Sequence, residues 1–171
     1  MRLEPRLLTL VPASRLRIRL APEDLVSYIG LAGSELELDG FSLQVGIPRV
    51  EQLVPATSLS SRLVTIKGMQ DLEAFRAAVR RQLKAMDVAA EPLLEGAPDA
   101  GGPARRVFRI KDRRVVGFSL RVQGLTAEES IRLQEQGIGG RRRMGCGLFV
   151  PVFPGQRFLQ IRENSKGSST S

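Results

Sequence analysis

The sequence predicts an α+β protein in which an antiparallel sheet carries two helices on one face. Three observations lead there. Segments with period-two alternation come in adjacent pairs around short turns, as in Ser34–Gly40 with Phe41–Ile47 and Arg105–Ile110 with Val115–Val122. Two segments, Asp71–Met86 and the one opened by Thr126, instead carry helical signals. From Ser61 onward the order is strand, helix, strand, strand, helix, strand, which is the split βαβ, or ferredoxin-like, arrangement. The 171 residues suffice for one ordinary domain or two small ones. The expected division is a partial ferredoxin-like N-terminal domain over 1–50, a complete ferredoxin-like domain with a glycine-rich loop over 51–160, and a polar, disordered tail over 161–171.

Ser14-Arg-Leu-Arg-Ile-Arg-Leu20 alternates strictly, with Leu16, Ile18 and Leu20 on one face and Arg15, Arg17 and Arg19 on the other. It predicts a strand, for which Leu7–Val11 is a candidate partner. Pro22 suits the first position of a short helix, and Glu23 and Asp24 complement the positive end of its dipole. Leu25, Val26 and Ile29 form its apolar stripe, and Gly30 or Gly33 ends it. The next two strands meet at Asp39-Gly40, a strong hairpin signal, and Pro48 stops the pairing. Ser61–Lys67 is a strand closed by Gly68. In the helix that follows, Leu72, Phe75, Val79, Leu83 and Met86 share a face opposite Arg76, Arg80, Arg81 and Lys84. Glu91-Pro-Leu-Leu reads as a short edge strand and 95–103 as a turn-rich loop. Lys111–Arg114 forms the basic tip of the second hairpin. Thr126 and Glu129 form a capping box, and Cys146–Val152 is the closing strand.

Composition excludes much. There is no histidine, which removes His-based acid–base catalysis, Ser-His-Asp and Cys-His systems and most zinc sites. No metal site and no cofactor are expected. The single cysteine, Cys146, cannot form an internal disulfide and reads as a small buried hydrophobe. No apolar run reaches membrane-spanning length and no signal peptide is visible, so a cytoplasmic protein without membrane association is expected. Lys and Arg outnumber Asp and Glu by 26 to 18, a formal net charge of +8. That excess favours a polyanionic partner. With seven Phe, one Tyr and no Trp, stacking on a row of aromatic rings is not the expected mode of recognition.

The chemistry concentrates in Gly137-Ile-Gly-Gly-Arg-Arg-Arg-Met-Gly-Cys-Gly147, between the last helix and the last strand. Gly137, Gly139, Gly140, Gly145 and Gly147 allow positive φ and close backbone approach. Arg141, Arg142 and Arg143 supply planar forks suited to phosphate. Free N–H groups beside guanidinium forks make an anion site, so RNA or phosphate is the expected ligand. A tight turn with a solvated charge run is the alternative. Lys111, Arg113 and Arg114 at the hairpin tip are a second candidate phosphate contact.

Ser61–Gly68, Val116-Gly-Phe-Ser-Leu-Arg121, Gly124-Leu-Thr-Ala-Glu-Glu-Ser130 and above all Gly139–Pro151 carry a family resemblance. In these motifs the chain resembles the CRISPR-associated endoribonucleases of the repeat-cleaving RAMP superfamily, in particular the MYXAN subtype. The resemblance covers about Ser14 to Pro151. It implies tandem ferredoxin-like domains binding CRISPR repeat RNA on a basic surface, with other subunits of an effector complex as further partners. The reaction it implies is processing of precursor transcripts into guide RNAs by metal-independent attack of a ribose 2′-hydroxyl, leaving a 2′,3′-cyclic phosphate and a 5′-hydroxyl. Such relatives begin with a strand and a helix that this chain lacks, and take an acid–base residue, usually histidine, from near that helix. No catalytic residue can therefore be carried over to any position here. Three readings stay open: a nuclease shortened at its N-terminus through a misplaced start at Met1, a natural member that holds a guide without cutting, and a basic scaffold for structured RNA outside CRISPR.

Overall fold

A computed structural model describes residues 14–38, 40–69, 71–96, 105–110 and 113–153. The chain divides into two compact units, Met1–Glu51 and Gln52–Ser171.

In the first unit, Pro22 opens a 3-10 turn, Pro22–Asp24, that runs into helix α1, Leu25–Ile29, with Gly30 as its C-cap. Strands β1 (Glu35–Leu38) and β2 (Phe41–Gln44) pair antiparallel, with Leu36 opposite Leu43 and Leu38 opposite Phe41. Gly40 takes φ +79° at the turn, as the hairpin requires; Asp39 lies outside the described residues. The strand expected over 14–20 does not form, and Leu16 is 85 % exposed. Alternation supplies a face, but a strand also needs an edge to pair with and a layer to bury that face. The candidate partner at 7–11 lies outside the described residues.

The second unit holds the core. Strand β3 (Ser58–Val64) leads to helix α2 (Leu72–Ala85), whose N-cap Asp71 accepts the N–H of Ala74 at 3.0 Å. Strands β4 (Glu91–Leu94), β5 (Arg105–Ile110) and β6 (Arg113–Gln123) follow. Helix α3 (Ala127–Gln136) starts with the expected capping box: Thr126 accepts the N–H of Glu129, and the Glu129 carboxylate accepts the N–H of Thr126. A two-residue strand β7, Val150–Pro151, closes the sheet.

The sheet order is β4-β6-β3-β7, every pair antiparallel, with β5 also paired to β6. This is the ferredoxin-like order, because the α2 connection passes over β6 and the α3 connection passes over β3. The place of its second strand is shared. On β6, residues 113–118 pair with β5 and residues 120–123 pair with β4. Leu59, Val64, Phe118, Leu120 and Val122 of the sheet meet Phe75, Val79, Leu83 and Leu133 of the two helices in one buried cluster. The rings of Phe75 and Phe118 sit 4.7 Å apart and tilted by 50°. Among the described residues no helix is long and apolar enough to cross a membrane.

Several boundaries differ from expectation. The strand expected over 41–47 ends at Gln44, and Arg113 and Arg114, expected in the hairpin tip, are paired in β6 with Ile110 and Arg109 because the ladder continues to the end of β5. The strand expected over 61–67 runs from Ser58 to Val64. Its end is set at Thr65, whose carbonyl leaves the sheet to accept the N–H of Gly140 at 2.8 Å. The strand expected over 146–152 shrinks to Val150–Pro151, because Gly147 at φ +68° cannot hold extended geometry.

Candidate nucleic-acid interface

The glycine-arginine segment begins where α3 stops. Gly137, at φ +63°, is the C-cap and donates its N–H to Leu133 at 2.9 Å. Ile138 is fully buried and donates to Gly147, while Gly147 donates to Leu63 at 2.7 Å. Gly139 donates to Oε1 of Gln82 in α2 at 2.8 Å, and Gly140 donates to Thr65. The Thr65 hydroxyl returns a bond to the Gly140 carbonyl at 3.2 Å. Gly145 donates to Arg142 at 3.0 Å.

All five glycine N–H groups are therefore consumed within the protein, and the expectation that they stay free for an anion is not met. Close backbone packing is the reason for Gly137, Gly139 and Gly147, while Gly145 answers to its φ of +79° alone. A Cβ on Gly139 would lie 2.4 Å from the Thr65 carbonyl oxygen, and one on Gly147 only 2.0 Å from that of Ile138. The loop is stitched to the end of β3 at backbone distance, which any side chain would prevent.

What this anchored segment holds out is its tip. Arg141 takes the left-handed conformation at φ +58°, and Arg142–Met144 form a single 3-10 turn. All four residues are exposed. Arg142 turns back, its guanidinium donating to the carbonyl of Gln136, the last residue of α3. A cation there satisfies a terminal carbonyl and complements the negative end of the helix dipole. Among the described residues, no carboxylate forms a salt bridge with Arg141, Arg142 or Arg143.

Other basic residues gather at the same end of the sheet. Arg62 and Lys67 flank the anchor points Leu63 and Thr65, and both are exposed. Val64 lies opposite Phe118, which pairs on its other side with Arg105; Arg106 pairs with Gly117. Arg114 is exposed at the start of β6. Of the hairpin-tip candidates, Arg113 is described only as backbone in β6, and Lys111 lies outside the described residues. Sequence reasoning missed that Arg62, Lys67 and Arg105 lie toward the same end of the sheet, since only strand register shows it.

Cys146 is buried, and loss of solvation pushes its thiol pKa up; nearby Arg141 and a hydrogen bond with Thr65 act the other way. It packs as a small hydrophobe. Among the described residues no group of three or more His, Cys, Asp or Glu could hold a metal ion. The groove between α2 and β4 is a separate feature, where Arg80 is already paired with Glu91 at 2.5 Å.

A family model described as Cas6 Crispr matches residues 2–153. The chain belongs to the Cas6 family. It is also 42 % identical over 153 residues to the CRISPR-associated endonuclease Cas6 of Myxococcus xanthus (strain DK1622). That alignment takes in 90 % of this chain and 62 % of the relative, so this Cas6-family chain spans about three-fifths of the relative's length.

Proposed function

We propose that this chain binds CRISPR repeat RNA through the exposed arginine tip and the basic end of the β3–β6–β5 sheet, in the processing of precursor transcripts into guide RNAs. The observation that supports the reading best is the division within the loop. The glycines consume their own donors to fix the turn, while guanidinium groups stand exposed with no carboxylate paired to them among the described residues. Phosphate contacts from such forks are bidentate and sequence-independent, so they position a folded RNA while its shape supplies the selection. On this reading residues 1–50 are a partial ferredoxin-like domain, 51–160 the complete RNA-binding one and 161–171 a tail. Lys111, Arg113 and Arg114 extend the phosphate track, and other effector subunits are further partners.

The cleavage chemistry we infer is metal-independent transesterification. The 2′-hydroxyl attacks the adjacent phosphorus, its proton leaves to a base, and the departing 5′-oxygen takes up a proton. The products are a 2′,3′-cyclic phosphate and a 5′-hydroxyl. Arginine forks at the phosphate would stabilise the extra negative charge of the transition state. Proton transfer contributes roughly 10²–10⁴-fold when a positioned group performs it, and no histidine is present to do so. That absence favours a second reading, in which the chain holds a guide without cutting it.

One assay separates the two. The repeat RNA encoded beside the gene is incubated with the chain in EDTA, and the cleavage products are mapped. Cyclic-phosphate ends at one position support processing. Tight binding without products supports the holding role, and cleavage that needs a divalent metal contradicts the mechanism.

A further inference from the structure

We propose that Gln82 is a positioning residue for RNA binding, a role that rests on the RNA reading of the arginine tip. Gln82 is half-buried on α2 and contributes nothing to the core cluster. Its side-chain carbonyl accepts the N–H of Gly139 at 2.8 Å, across 57 positions of sequence. Among the hydrogen bonds of the five loop glycines' N–H groups, this alone ends on a side chain; the other four end on backbone carbonyls. It is therefore the one anchor of a loop glycine N–H that a substitution can remove without moving the backbone that provides it.

Its place gives it leverage. Gly139 is two residues before Arg141, the residue that leaves for the left-handed region and sets the direction of the arginine turn. Gly139 is itself at φ +80°, where a Cβ would run into the Thr65 carbonyl. Thr65 holds the segment through Gly140, and Gln82 holds it from the helix side. With both contacts the entry to the turn is fixed between sheet and helix. Without Gln82 the Gly139 amide is released, and Arg141 and Arg143 sample more orientations before they meet phosphate. Ordering them on binding then costs conformational entropy that the intact loop has already lost.

The test compares Gln82→Met, which keeps length and helix propensity but has no acceptor, with Gln82→Glu, which keeps the acceptor. Three quantities are read on each chain: hydrogen exchange at the Gly139 amide, thermal stability, and affinity for the repeat RNA encoded beside the gene. We expect Gln82→Met to speed Gly139 exchange about three- to tenfold and to weaken RNA binding by a similar factor, with little change in Tm. Gln82→Glu should retain the slow exchange. Unchanged Gly139 exchange in Gln82→Met overturns the proposal, as does faster exchange with unchanged RNA affinity. Should the unaltered chain bind no repeat RNA, the functional reading falls, and the positioning role in RNA binding falls with it. The exchange data would then still decide whether Gln82 holds the loop.

Discussion

The two halves of the glycine-arginine loop solve opposite problems. The glycines at 137, 139, 140 and 147 turn every N–H inward and sit so close to neighbouring carbonyls that three of the four have no room for a Cβ. The tip from Arg141 to Met144 is exposed, and two of its three guanidinium groups have no described hydrogen-bond partner within the protein. The contrast teaches that glycines beside arginines need not be the phosphate cradle. They can be the mounting, and the arginines what is mounted.

The largest expected effect comes from breaking the mounting. Gly147→Ala combines a φ of +68° with a Cβ at 2.0 Å from a carbonyl oxygen. It should cost ~2–4 kcal/mol of unfolding free energy in urea titration. Gly145→Ala is the control, at φ +79° with nothing within 4 Å; strain alone should cost it about 1 kcal/mol. Equal losses would mean that close packing is not why Gly147 is needed.

Next in size is a perturbation of the sheet that leaves the loop alone. Arg121 donates to the Glu95 carboxylate at 2.6 and 2.8 Å, both side chains mostly buried, and Ser60 donates to the other carboxylate oxygen. Arg121→Met should destabilise by ~1–3 kcal/mol, because it strands a carboxylate of low exposure. The salt dependence of RNA binding should not change. A changed slope would place Arg121 in the RNA path and blur the division between anchoring and contact.

How much of this was legible in the sequence follows physical range. Local signals read correctly: Thr126 caps the helix it precedes, the helix expected from about Asp71 forms, and the β1–β2 and β5–β6 hairpins form. Properties that depend on a distant partner did not. Arg15–Arg19 alternates like a strand, yet residues 14–20 form none. Gln82 looked like any polar residue on a helix, and nothing local marks it as the acceptor for an amide 57 positions on. The arginine triplet was visible as a unit. The return of Arg142 to the end of α3 was not, since three identical side chains differ only in where the backbone turn points them.

A smaller effect is set by pH. Hydrogen bonds from the N–H groups of Ala89 and Thr126 hold the Glu129 carboxyl below the usual carboxylate range. A carboxyl whose pKa is lowered by folding contributes stability above its unfolded value, about 4.3, and loses it as pH falls through the folded value. Denaturation curves between pH 6 and 3, roughly the span of ordinary carboxylate titration, should therefore show a loss of stability on acidification that is shallower in Glu129→Gln. Equal slopes would remove Glu129 as a cause.

The most direct test of the division of labour is a salt titration of repeat-RNA binding by Arg141→Ala, Arg142→Ala and Arg143→Ala singly. Arg141→Ala and Arg143→Ala should each lower the slope of log affinity against log salt by ~0.7–0.9. Arg142→Ala should leave the slope nearly unchanged and lower the thermal stability of α3 instead. Equal slope losses at all three positions, or none at any, would contradict the account.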